Sequence, residues 1–254
     1  MYRLAIVIPT YNETARLPGT LSAIAGTTLP GVELVSIILA DNGSCDGTCE
    51  LGERLAGELG LPLTALRLPV RGKARALRLA MPMAAVPPVN GVLFMDADNA
   101  TPLSALAQFP LFAPPALLIA SRRVPGATIG SQSAATRSRS RELLSGLSRL
   151  LTRVLLGLPE RDTQCGFKLV PRDWVAPLFG ALRSDGWMID AELLARAHRA
   201  GLPVREIAVD WTDMDGSKVR PGRDALLSLL GLLRIFGWLT AERLHRQRLV
   251  IPAA

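Results

Sequence analysis

Residues 92–99 run four apolar side chains, Val92-Leu93-Phe94-Met95, straight into Asp96-Ala97-Asp98-Asn99. A short apolar run of this kind, entered from Gly91, reads as a buried strand. Its end carries two carboxylates one residue apart. Open α/β sheets bind their ligands outside the carboxyl ends of the strands. Asp96 and Asp98 therefore stand where hard oxygen ligands hold Mg²⁺ or Mn²⁺ against a diphosphate. Taken alone, such a pair is more often a turn and a helix cap, so the rest of the chain decides.

Three more apolar runs precede this one. Residues 4–8 end in Pro9-Thr10-Tyr11-Asn12-Glu13, and residues 35–40 end in Asp41-Asn42-Gly43-Ser44. Residues 63–68 lead into Arg71-Gly72-Lys73. Between the runs, residues 14–26, 48–59 and 73–83 read as helices. Strands alternating with helices at this spacing predict an α/β fold with a mostly parallel sheet flanked by helices. With 49% of 254 residues apolar, the chain suits one such domain with an added C-terminal segment. Glu13, Asp41, Asp96 and Asp98 would then gather at three strand ends. Asp41 suits the N3–H of a uracil, and Glu13 a ribose hydroxyl. No glycine-rich phosphate loop follows any of these strands, so a metal is needed to offset phosphate charge.

The net charge is +7, and among 29 basic residues only Lys73, Lys168 and Lys218 are lysines. Arginine favours forked recognition of phosphate. Aromatics make up 5% of the chain and no base-stacking motif stands out, which argues against a nucleic-acid partner. Cys45, Cys49 and Cys165 lack metal-ligand spacing and read as free thiols in the cytosol. No leader is read at the N-terminus, and no apolar run reaches the ~18 uncharged residues of a spanning helix.

The second half adds basic and apolar stretches. Ser121-Arg122-Arg123 ends another strand-like run, and Arg137, Arg139 and Arg141 follow in a serine-rich segment. Residues 143–158 are apolar at helical spacing, interrupted by Arg149 and Arg153. Residues 225–239 are apolar nearly all round and flanked by arginines, which suits an amphipathic or interfacial helix on anionic lipid. The expected division is a domain over residues 1–220 and a membrane-surface segment over 221–254.

The motifs Ile8-Pro9-Thr10-Tyr11-Asn12-Glu13, Asp41-Asn42-Gly43-Ser44-Cys45-Asp46-Gly47-Thr48, Gly72-Lys73 with Ala76 and Arg78, and Asp96-Ala97-Asp98 together resemble the family 2 glycosyltransferases, which have the GT-A, Rossmann-like fold. Asp162-Thr163-Gln164-Cys165-Gly166-Phe167-Lys168, with Trp187-Met188-Ile189-Asp190-Ala191-Glu192, is most similar to the dolichyl- or polyprenyl-phosphate β-glucosyltransferases. The likeness spans residues 4–220. It implies inverting transfer of a hexose, glucose from UDP-glucose, to a lipid phosphate. It also implies Mg²⁺ or Mn²⁺, a peripheral position on the cytoplasmic face of a membrane, and leaves room for a homo-oligomer.

Residue by residue, the likeness implies a nucleotide pocket of Pro9, Tyr11, Glu13, Asp41, Lys73 and Asp96. Asp98 is the expected direct metal ligand with Asp96 beside it. Asp98, Asp162 and Arg122 carry catalysis. Arg123, Arg137, Arg139 and Lys218 meet the acceptor phosphate, and Asp190, Glu192 and Trp187 meet the sugar. Asn42 departs from the second Asp found in many members and takes no role here.

The acceptor decides the chemistry. A hydroxyl acceptor would need Asp162, Asp190 or Glu192 as general base. A lipid phosphate is already ionised, and the difficulty becomes bringing two anions together, which costs roughly 4 kcal/mol for unit charges at an effective dielectric near 20. GDP-mannose as donor, a soluble transferase acting on a hydroxyl, and an inactive nucleotide-sugar-binding membrane scaffold are the alternatives.

Overall fold

The computed structural model describes residues 1–69, 71–131, 139–214 and 221–244. Arg137, Lys218 and the side chain of Arg139 lie outside the described residues. In chain order the elements are β1 (Tyr2–Thr10), α1 (Leu17–Ala25), β2 (Val32–Asn42), α2 (Thr48–Leu59), β3 (Leu63–Leu68), α3 (Lys73–Ala84) and β4 (Gly91–Met95). After a 3₁₀ turn over Leu103–Gln108 come β5 (Leu117–Ser121), β6 (Thr128–Ser131), α4 (Arg139–Leu156), β7 (Phe167–Pro171), α5 (Arg172–Ala181), α6 (Ile189–Arg199), β8 (Val204–Ala208), β9 (Asp210–Asp213) and α7 (Pro221–Leu244).

Seven strands form one sheet in the order β3-β2-β1-β4-β7-β5-β8. All neighbours pair in parallel except β7, which runs antiparallel to both β4 and β5. Successive residues of a strand face opposite sides of the sheet, and both sides are covered. Ala5, Val7, Val92 and Phe94 pack on one side with α3, α5 and α6. Leu4, Ile6, Ile8, Leu93 and Met95 pack on the other with α1 and the 3₁₀ turn. This explains why the strands read as unbroken apolar runs. Each fully buried side chain such as Phe94 or Ile6 contributes about 2 kcal/mol relative to exposure.

From β1 the chain moves outward to β2 and β3, then returns to place β4 on the other flank of β1. Strand order reverses between β1 and β4, which opens a crevice above their carboxyl ends. Both Pro9-to-Glu13 and Asp96-to-Asp98 emerge there. Further out, β6 and β9 form a parallel two-stranded ribbon. It is tied back by the Thr212 N–H donating to the Ala100 carbonyl at 2.9 Å, just past Asp98.

The last helix is longer than the apolar stretch that predicts it. One side of α7 enters the core through Leu232, Ile235 and Leu239. Leu226, Leu227, Leu229, Leu230, Leu233 and Phe236 remain exposed. It packs beside α4, whose Leu147, Leu150 and Val154 are also exposed. Among the described residues no helix is long and apolar enough to cross a membrane.

Candidate active site

Hydrogen bonds close the loops after β1 and β2 onto one another. Asp41 is buried and accepts from Thr10 Oγ1 at 3.2 Å and from the Ser44 N–H at 3.1 Å, with a further bond from the Ser44 hydroxyl. A carboxylate has about four acceptor positions, so one remains on Oδ2. Asn42 donates from Nδ2 to the Thr10 carbonyl at 2.7 Å and accepts the Gly72 N–H at 3.1 Å. An aspartate there lacks the donor for the Thr10 carbonyl, so the amide locks the end of β1 to the start of α3. Arg71 stacks over Tyr11, 4.2 Å from the ring centroid.

The residue after Gly72 reaches across to the paired carboxylates. Lys73 Nζ lies 2.6 Å from Asp96 Oδ1. Burial works against its charge, yet Asp96, Asp190 and Asp98 outweigh it and raise the ammonium above its ordinary pKa. Asp96 packs directly on Gly166, where any Cβ would collide with its carboxylate, and its N–H donates to the Gly166 carbonyl at 2.9 Å. That contact brings the Cys165-Gly166-Phe167 segment into the site.

Asp98 accepts the Ala100 N–H at 3.1 Å. Burial, then the charge of Asp96, pushes its carboxyl above the usual range. Two crowded carboxylates of this kind fit a divalent cation, which relieves their repulsion, and oxygen donors suit Mg²⁺ or Mn²⁺. Among the described residues no group of three or more acidic, His or Cys side chains could hold a metal. A cation held by this pair would take its remaining ligands from water or a diphosphate.

On the far side of Asp96, Arg122 grips Asp162 by a fork: Nε to Oδ2 at 2.7 Å and Nη2 to Oδ1 at 2.8 Å, with the Arg122 N–H adding a bond at 3.0 Å. Trp211 covers the guanidinium, 5.2 Å from ring centroid to Cζ. Glu206 on β8 accepts the N–H groups of Arg161 and Asp162 at 2.8 and 2.9 Å, fixing the segment that carries the acid. Arg123 is exposed beside them.

The residues expected at the sugar separate. Trp187 is 46% exposed, with its ring 5.8 Å from Lys73 Nζ. Asp190 is buried in the first turn of α6, not at its cap, and its Oδ1 lies 2.5 Å from Lys168 Nζ. Glu192 corrects the expectation. It has no exposure and accepts the N–H groups of Arg183 and Ser184 and the Arg196 Nε–H at 2.8–3.1 Å. It staples the end of α5 to α6 and cannot touch a sugar. Glu13 also has both oxygens engaged, at 2.7 Å each, by Arg16. In the sequence, Lys168 stands out only as part of the Asp162–Lys168 motif, Arg16 only by its i,i+3 spacing from Glu13, and Glu206 by no signal.

These side chains gather at the switch point of an α/β sheet, and comparison with known proteins shows the class of the chain. The family model Glycosyl transferase family 2 matches residues 5–179, and the chain belongs to that family and is a glycosyltransferase. It is 34% identical over 236 residues to a dolichyl-phosphate beta-glucosyltransferase of Drosophila melanogaster, covering 86% of this chain and 69% of the relative. It is 30% identical over 246 residues to the Saccharomyces cerevisiae protein of the same name, covering 88% and 71%. Its fold matches glucosyl-3-phosphoglycerate synthase from Mycobacterium tuberculosis, solved with Mn²⁺, UDP and phosphoglyceric acid. The TM-score is 0.62 at 21% identity, over 93% of this chain and 79% of that one.

Proposed function

We propose that the chain transfers glucose from UDP-glucose to a dolichyl or other polyprenyl phosphate, with inversion. An acceptor phosphate oxygen attacks the anomeric carbon as the bond to the diphosphate breaks, and the nucleoside diphosphate leaves. The observation that carries the phosphate acceptor is the state of the three carboxylates that a hydroxyl acceptor would need. Asp162 is forked by Arg122, Asp190 is paired with Lys168, and Glu192 is fully buried under three donors. None is a free base. The names of the curated relatives support glucose and dolichyl phosphate.

In this reading Asp41, Thr10 and Tyr11 border the nucleoside, and Asp98 with Asp96 would hold Mg²⁺ or Mn²⁺. Such a cation supplies neutralising charge to the leaving diphosphate. Lys73 stays protonated beside it. Arg122, held rigid by Asp162 and Trp211, keeps its remaining N–H donors for the incoming phosphate, with Arg123 at the entrance. Trp187, exposed beside Lys73, flanks the sugar.

The acceptor lipid requires a membrane surface. The exposed leucines of α4 and α7, with Arg234 exposed among them, support peripheral docking, because apolar patches of this extent on a surface mark interaction sites. The free thiols Cys45, Cys49 and Cys165 support the reducing, cytoplasmic face. The test is incubation with Mg²⁺ or Mn²⁺, a polyprenyl phosphate and a panel of UDP- and GDP-sugars. Organic-soluble glucose from UDP-glucose is the expected product; product formed from GDP-mannose alone would overturn the donor assignment.

A further inference from the structure

Arg16 lies between the nucleotide pocket and the paired carboxylates. Its Nε and Nη2 are spent on Glu13. The third nitrogen, Nη1, lies 3.7 Å from Asp98 Oδ2, an ion-pair distance too long for a hydrogen bond. Packing fixes this approach. Thr20 Oγ1, one turn into α1, donates to the Ala97 carbonyl at 2.7 Å and pins the helix against the Asp98 loop. The Arg16 side chain is 21% exposed. On the other carboxylate, Lys73 sits 2.6 Å from Asp96.

Each member of the pair therefore faces a resident cation, and with Glu13, which shares Arg16, the five groups carry a net charge of −1. A bare divalent ion approaching Asp98 meets repulsion from Arg16 at close range. A diphosphate brings several negative charges that attract both the ion and the guanidinium. Building on the reading of Asp98 as a metal ligand, we propose that Arg16 couples metal to nucleotide. It screens Asp98 in the free protein, disfavours metal alone, and presents Nη1 to the diphosphate, so that cation and nucleotide enter together.

The test compares wild type, Arg16→Met and Arg16→Lys. Mn²⁺ binding is read by electron paramagnetic resonance without nucleotide, and UDP and uridine binding by calorimetry. Circular dichroism checks folding. Removing the cation should move the two affinities in opposite directions. Arg16→Met should bind Mn²⁺ alone about tenfold tighter and UDP with Mn²⁺ about tenfold weaker, with uridine unchanged. Arg16→Lys, which keeps the charge, should stay near wild type for Mn²⁺. If Mn²⁺ and UDP affinities fall together, if uridine falls with UDP, or if nothing changes, Arg16 merely holds Glu13 and the proposal is overturned. Wild type that binds no UDP at all would instead overturn the donor-site reading on which it rests.

Discussion

The ammonium of Lys168, with no solvent exposure, lies 2.5 Å from Asp190 Oδ1 and 2.6 Å from the Cys165 carbonyl. One buried cation thus joins β7, the segment beneath Asp96 and the first turn of α6. Removing one member of a buried pair strands the other charge, at a cost of about 3–5 kcal/mol. Lys168→Met should lose stability on that scale in urea unfolding. Lys168→Met with Asp190→Asn should recover part of it, since the stranded charge is gone. Equal loss in the single and double variants would remove the ion pair as the cause.

Asp162 gives stability a defined pH dependence. Burial pushes its carboxyl up, but the hydrogen bonds and positive charge of Arg122 outweigh this and hold it below the usual aspartate range. A depressed folded-state pKa contributes stability that is fully present above the unfolded value, about 4, and lost as pH falls through the folded value. Asp162→Asn should therefore cost about 3 kcal/mol at neutral pH. The difference from wild type should shrink once pH falls below about 4. Unfolding curves that stay equally separated across that range would contradict this.

Asp98→Asn separates charge from geometry. The amide oxygen still accepts the Ala100 N–H that turns the loop, while the negative charge is lost. Turnover should fall on the order of a hundredfold or more, and metal-dependent UDP affinity should fall with it. Melting should change little. Undiminished turnover would take the metal out of the mechanism.

The exposed face of α4 and α7 is testable without touching the site. Leu226, Leu230 and Leu233 are 59%, 44% and 49% exposed, so changing all three to Ser should leave the fold intact. Each buried leucine is worth up to about 2 kcal/mol in an apolar phase. The triple variant should float with anionic liposomes at least about tenfold less well. Wild-type flotation should weaken with salt as screening shortens the reach of the arginines. Flotation unaffected by the triple change would send the docking face elsewhere.

Much of the first half was legible because β1, β4 and the end of β2 are buried on both faces, so hydrophobicity alone marked them, while β3 is an edge strand with no buried residue. α2 and β3 fall where periodicity predicts them. The antiparallel β7 was not legible. Phe167-Lys168-Leu169-Val170 carries a charge whose partner, Asp190, is supplied by α6, and a one-dimensional pattern does not show such a pairing. The strand-end carboxylates were legible as a set, but their partners were not. Asp98 meets Arg16 and Asp96 meets Lys73 only when β4 lies beside β1. Glu192 was misread because its run, Asp190-Ala191-Glu192, offers two acids and no sign that one turns inward to backbone N–H groups. In α7, Leu232, Ile235 and Leu239 share one face at helical spacing, yet uniform apolarity hid which side would be covered.

The proposed acceptor is a phosphate needing no base. It is tested most directly by presenting UDP-glucose with a polyprenyl phosphate and, separately, with the polyprenol of the same length, and measuring glucose in the lipid phase. Transfer to the phosphate and none to the alcohol is the expected result. Glucosylated polyprenol formed at a comparable rate would contradict it and return one of the buried carboxylates to the role of base.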